Sequence, residues 1–87
     1  MELYESKRKD KRFVAIIKGK KYHFGSKTGN TYIEHHDKKK RENYIKRHRI
    51  REDWTKVNSG SLSRFLLWGD STNIKNNIRD YIKRFNL

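Results

Sequence analysis

Apolar residues follow two rhythms along this chain. Before residue 27 they stand in short alternating or unbroken runs, and after residue 61 they return every three or four positions. Arg12-Phe13-Val14-Ala15-Ile16-Ile17 is a β-branched and aromatic run of strand length, the strongest strand signal in the sequence. Lys18-Gly19-Lys20 offers the φ-positive residue that a hairpin turn needs, and Tyr22-His23-Phe24 alternates away from it as the returning strand. Upstream, Leu3 with Glu5 and Tyr4 with Ser6 alternate loosely, which predicts an edge strand with one wet face, joined to the next by a tight turn at Asp10-Lys11. A three-stranded antiparallel meander over residues 1–27 follows.

The second half reads as helices. Ser61 is expected to cap a short one in which Leu62, Phe65 and Leu66 recur at i, i+3 and i+4, with Trp68 beside them and Gly69 in the C-terminal place that favours positive φ. Asp70, Ser71 or Thr72 is expected to cap the last helix. Its Ile74, Ile78, Tyr81, Ile82 and Phe85 form the widest apolar face in the sequence and are predicted to close the core. Between sheet and core helices lies a third helix, capped by Asp37 and running to Arg51. Tyr44, Ile45 and His48 share one side of it, a narrow stripe, while Lys39, Asn43 and Lys46 point away. Glu52-Asp53 then reverses the charge, and Trp54 is expected to plug the core with its indole N–H bonded. Residues 31–36 fit a helical turn or a short strand equally well, with Tyr32 and Ile33 as anchors to the sheet. The predicted fold class is α+β: a small N-terminal antiparallel β-meander packed against about three helices. It forms one domain over residues 1–87, with the meander at 1–27, a basic helix at 37–51 and two core-closing helices at 61–85.

Composition changes the picture only where it bears on order and partners. Hydrophobic residues are 32% and charged residues 38% of the chain, a balance that borders on disorder. Eleven Phe, Tyr and Trp residues, most of them regularly spaced, argue for a packed core instead. There is no cysteine, hence neither a disulfide framework nor a cysteine zinc site, and folding is expected not to depend on an oxidising compartment. The first ten residues contain no apolar signal-like run, and no stretch approaches the length of a membrane span, so an intracellular, non-secreted protein is expected.

Charge carries the functional signal. The net charge is +13, more than solubility requires, and in a cell the abundant partners for such a surface are nucleic acid and anionic membrane. Eight of the fourteen residues from Lys38 to Arg51 are Lys or Arg, against one acid, Glu42. The meander adds six basic residues and no acid between Lys11 and Lys27, three of them at its tip. Lys38, Lys39, Lys40, Arg41, Lys46, Arg47, Arg49 and Arg51, with Lys18, Lys20 and Lys21, are therefore the candidate phosphate contacts. No helix-turn-helix, zinc-finger or RNA-recognition signature accompanies them, so binding without sequence preference is expected, of packaging or architectural type, and these residues do not choose between DNA and RNA. The alternative is a structural or interaction protein whose basic face docks on an acidic protein, with Trp54 or Trp68 exposed as an anchor. A membrane-surface role is weaker, because the one wide apolar helix is needed for the core.

Catalysis finds little support. Gly25-Ser-Lys-Thr-Gly-Asn30 lacks the spacing of a phosphate-cradling P-loop. His35, His36, Asp37 and His48 are the ingredients of a metal-dependent nuclease site, but adjacent histidines diverge on any regular element and no paired-ligand motif joins them. No enzyme activity, cofactor or metal is expected. His48 is expected half-buried beside Tyr44, and the other two at a helix start.

Several separated motifs together carry a resemblance: His23-Phe24-Gly25, His35 with Asp37, Tyr44-Ile-Lys-Arg-His48, Glu52-Asp-Trp54, Ser63-Arg-Phe-Leu-Leu-Trp68, Asn77-Ile78 with Asp80, and Lys83-Arg-Phe85. In order and spacing this series resembles a family of small basic proteins of nucleocytoplasmic large DNA viruses, the giant viruses. The likeness spans nearly the whole chain and brings a context without a mechanism. It implies a virion or a viral factory in the host cytoplasm, where a basic protein meets much DNA; that setting favours DNA over RNA as the partner and makes the alternative a minor virion structural or interaction protein docking an acidic one. One departure is visible: such proteins often carry a proline after the Leu-Leu-Trp segment, where this chain has Asp70-Ser71 and no proline at all.

Overall fold

A computed structural model describes residues 1–87. The fold is α+β, with an N-terminal antiparallel sheet followed by helices. Strands β1 (Glu2–Glu5), β2 (Lys11–Ile17) and β3 (Lys20–Ser26) lie in the order β1-β2-β3. Leu3 faces Ala15, Phe13 faces Phe24, and Ala15 faces Tyr22. Since partners across a ladder share a face, Leu3, Phe13, Ala15, Ile17, Tyr22 and Phe24 point to one side. Lys18 and Gly19 close the β2–β3 hairpin, both with positive φ, the combination that lets a two-residue turn follow the twist of the strands.

The helical turn α1 (Tyr32–His35) resolves the ambiguity at residues 31–36 in favour of a helix. Glu34 accounts for it, since its carboxylate accepts from both the backbone N–H and the hydroxyl of Thr31 at 3.0 Å. Helix α2 (Lys38–His48) starts at Asp37, whose Oδ1 accepts from Lys39 and Lys40 N–H. It ends three residues earlier than expected. The N–H groups of Arg51 and Glu52 both turn back to the His48 carbonyl, so Arg49, Ile50 and Arg51 form the exit turn rather than a last helical turn.

Helix α3 (Ser59–Leu62) runs directly into a π-helical turn, Ser63–Leu67, which ends with Trp68 N–H bonded to the Ser63 carbonyl five residues back. Its N-cap is Asn58, not Ser61. Asn58 Oδ1 accepts from Ser61 N–H at 2.7 Å, and Ser61 sits inside the first turn with its hydroxyl against that of Tyr81. Helix α4 (Ile74–Arg84) is likewise capped one position beyond the three expected, by Asn73, which accepts from Lys75 N–H.

Ala15, Ile17 and Phe24 from the sheet, Leu62, Leu66 and Leu67 from α3 and its π turn, and Tyr81 from α4 make the core. The α4 face packs against it through Ile74, Ile78 and Phe85, while Ile82, expected on the same face, is half-buried outside the core cluster. Gly69 corrects one expectation: its φ is not positive. It is required for closeness, because a Cβ there would stand 2.3 Å from the Phe65 carbonyl and 2.8 Å from Asn77. Trp54 corrects another. It lies outside the core, half-buried on Phe65 with the Arg64 guanidinium over its ring, and its N–H donates to Glu52.

Candidate nucleic-acid interface

Helix α2 meets the rest of the protein along the line of Arg41, Tyr44 and His48, spaced i, i+3 and i+7. Tyr44 is buried, its ring parallel to the indole of Trp68 at 4.3 Å and covered on the other side by His48 at 4.1 Å. Its hydroxyl donates to Ser63 Oγ, and burial pushes its pKa up to about 12, so it remains a donor. His48 Nδ1 meets Glu52 at 2.8 Å, which ties the exit turn to the helix.

Arg41 is part of this attachment. Its Nε donates to the carbonyls of Trp68 and Gly69, at 3.2 and 2.9 Å, and its terminal nitrogen pairs with Asp70 at 2.8 Å. Arg64 reaches the same Trp68 carbonyl at 2.8 Å, and burial, together with the nearby Arg41 charge, lowers its pKa. Of the eight cations foreseen on this stretch, Arg41 therefore has its guanidinium bound inward. Its sequence neighbourhood, four consecutive basic residues, gave no sign of that role.

The other seven, Lys38, Lys39, Lys40, Lys46, Arg47, Arg49 and Arg51, are exposed, and none forms a salt bridge. The chain's ion pairs are Arg12–Glu34, Arg41–Asp70 and His48–Glu52. Lys18, Lys20 and Lys21 are also exposed and unpaired, at the β2–β3 turn, with Lys20 over the Tyr22 ring. They form a separate patch: Tyr44 and His48 border the opposite end of β3, at Phe24, Gly25 and Ser26.

Beside α2 opens a cleft of about 610 Å³. Lys40, Asn43, Lys46 and Arg47 line it from the helix, facing Asn30, His35 and Trp68. No carboxylate enters it. Asn30 and Asn43 passed unremarked as site residues in the sequence; the i, i+3, i+7 spacing of Lys40, Asn43 and Arg47 was the signal that could have found the second. His35 sits at the back, its ring 5.3 Å from Trp68 and its Nδ1 accepting from Asp37 N–H, which leaves the proton on Nε2. His35, His36, Asp37 and His48 are not gathered into one group, and no three His, Asp or Glu side chains converge as metal ligands would.

A family model described as "Family of unknown function (DUF5754)" matches residues 1–48. The chain belongs to this DUF5754 family. The matched stretch takes in the sheet, α1 and all of α2, hence every cleft residue except Trp68. No curated protein and no solved structure matches the chain. No helix is long and apolar enough to cross a membrane.

Proposed function

We propose that the chain binds nucleic acid through its phosphates, without sequence preference, in a packaging or architectural role. The observation that carries this reading is the set of seven exposed cations on α2 and its exit turn, none with a carboxylate partner. Like charges so concentrated repel one another, and a polyanion relieves that repulsion while releasing its own counterions. Exposure of all seven lets the side chains follow a backbone rather than a fixed geometry, which suits contacts that position without reading sequence. Lys18, Lys20 and Lys21 supply a second patch at the hairpin turn. In the viral setting implied by the resemblance, DNA is the abundant polyanion.

The test is binding of a fluorescent DNA duplex across a range of salt concentrations. Six to eight neutralised phosphates give a slope of log K against log salt of roughly −5 to −7. The Lys39→Glu/Lys46→Glu/Arg47→Glu variant is expected to flatten it. A flat wild-type slope overturns the reading and favours an acidic protein partner. Ile50, 82% exposed between Arg49 and Arg51, would then be the apolar anchor to examine.

A further inference from the structure

The cleft beside α2 is chemically different from the open face around it. Phosphate contact alone calls for donors, and Lys40, Lys46 and Arg47 supply them. Asn30 and Asn43 add something a phosphate has no use for, a carbonyl acceptor beside each amide donor. Neither side chain is engaged elsewhere: Ser26 and Thr28 bond each other in the loop before Asn30, and Asn43 projects between Lys40 and Lys46 without an intramolecular partner. An amide pairing donor with acceptor matches the edge of a nucleobase. The volume, about 610 Å³, lies within the range of pockets that hold small organic ligands, well beyond the needs of one phosphate. Trp68 lines the cleft as its one aromatic residue besides His35, one face stacked on Tyr44 and the His35 ring 5.3 Å away, tilted by 59°. In a duplex the bases are stacked and their pairing edges occupied, so only an unpaired nucleotide can enter a concave site of this kind.

From this arrangement we infer that the cleft holds one unpaired nucleotide of a nucleic-acid strand, its phosphate on Lys40, Lys46 and Arg47 and its base edge on Asn30 and Asn43. The inference rests on the phosphate-binding reading above and adds a preference for single-stranded over duplex nucleic acid. Uncharged amides give the preference, so it can be removed without touching the charge.

The experiment compares a ten-nucleotide single strand with its duplex, for the wild type and for Asn30→Ala/Asn43→Ala. Two lost hydrogen bonds weaken single-strand binding by about tenfold, with duplex binding and both salt slopes unchanged. In a Trp54→Phe background, Trp68 is the sole tryptophan, and its emission is expected to respond to the single strand and to dAMP, with little response to inorganic phosphate at the same concentration. Equal affinity for single strand and duplex in the wild type, with no effect of the double substitution, overturns the inference; so does a Trp68 response to inorganic phosphate as large as that to dAMP. Steep salt dependence persisting in those outcomes would leave the phosphate-binding reading standing, whereas its absence would remove both.

Discussion

Tyr44 and Trp68 lie face to face, 4.3 Å between ring centroids and 5° between ring planes, and through this contact the basic helix is held against the π turn that follows α3. Residues 24 positions apart thus meet on one surface, and the aromatic area they bury replaces the wide apolar stripe that α2 lacks. Tyr44→Ala is expected to cost about 3 kcal/mol, comparable with loss of a large aromatic from a core, and Tyr44→Phe about 1 kcal/mol, since only the bond to Ser63 is lost. Urea unfolding of the two variants separates the ring from its hydroxyl.

Arg41 and Lys39 are two residues apart in one basic run but differ in role. Arg41→Met is expected to destabilise by about 2 kcal/mol, because two backbone carbonyls and the Asp70 carboxylate lose a charged donor. Lys39→Met stays within about 0.5 kcal/mol of the wild type, being exposed and unpaired. DNA affinity at low salt should fall for Lys39→Met. Thermal melts beside binding curves check both halves of this contrast.

Acid sensitivity should trace in part to Glu34. The Arg12 guanidinium, aided by the bonds from Thr31, holds its carboxyl at about 2, below the ordinary 4.5. A carboxylate with a depressed folded-state pKa contributes stability that is fully present above its unfolded value and is lost as pH falls. The loss therefore runs from about pH 4.5 down to about pH 2. Because the pair is partly exposed and screened, its worth is about 1 kcal/mol. Glu34→Gln should remove that part of the acid transition, seen by comparing unfolding free energies at pH 3 and pH 6.

Gly69 and Gly19 should both resist alanine, for opposite reasons. At Gly69 the new methyl group meets the Phe65 carbonyl and the Asn77 side chain, an overpacking expected to cost about 3 kcal/mol. Gly19 has open space around it but a φ of +79°, so Gly19→Ala is expected to cost about 1 kcal/mol through the backbone alone. Chemical denaturation ranks the two.

Much of this architecture was legible in the sequence because local pattern and tertiary role agree. The β2 run, the hairpin turn at Lys18-Gly19 and the α4 periodicity each specify one answer, and each forms. Failures cluster where a residue's partner is distant or where several residues compete for one local task. Asn58 and Asn73 took caps assigned to serines, aspartate or threonine nearby, because each of those residue types can cap a helix that begins just after it and local pattern does not choose the starting point. Trp54 and Trp68 could not be ranked by sequence alone: the π turn delivers Trp68 to Tyr44, while Glu52 and Arg64 hold Trp54 outside. The cleft was hidden for the same reason, since Asn30 and Trp68 face α2 only through the tertiary fold.

The attachment of α2 by side chains has a kinetic meaning. A helix held mainly by one tyrosine, one arginine and one histidine, and strained by its own charge, can lift away while sheet and core stay closed, so its amides should exchange with solvent sooner than those of β2. On the proposed nucleic-acid role, a bound polyanion would cancel the strain and press the helix home. Occupancy would then be written in the exchange rates of α2, in residues such as Tyr44 and Ile45 whose side chains face away from the ligand.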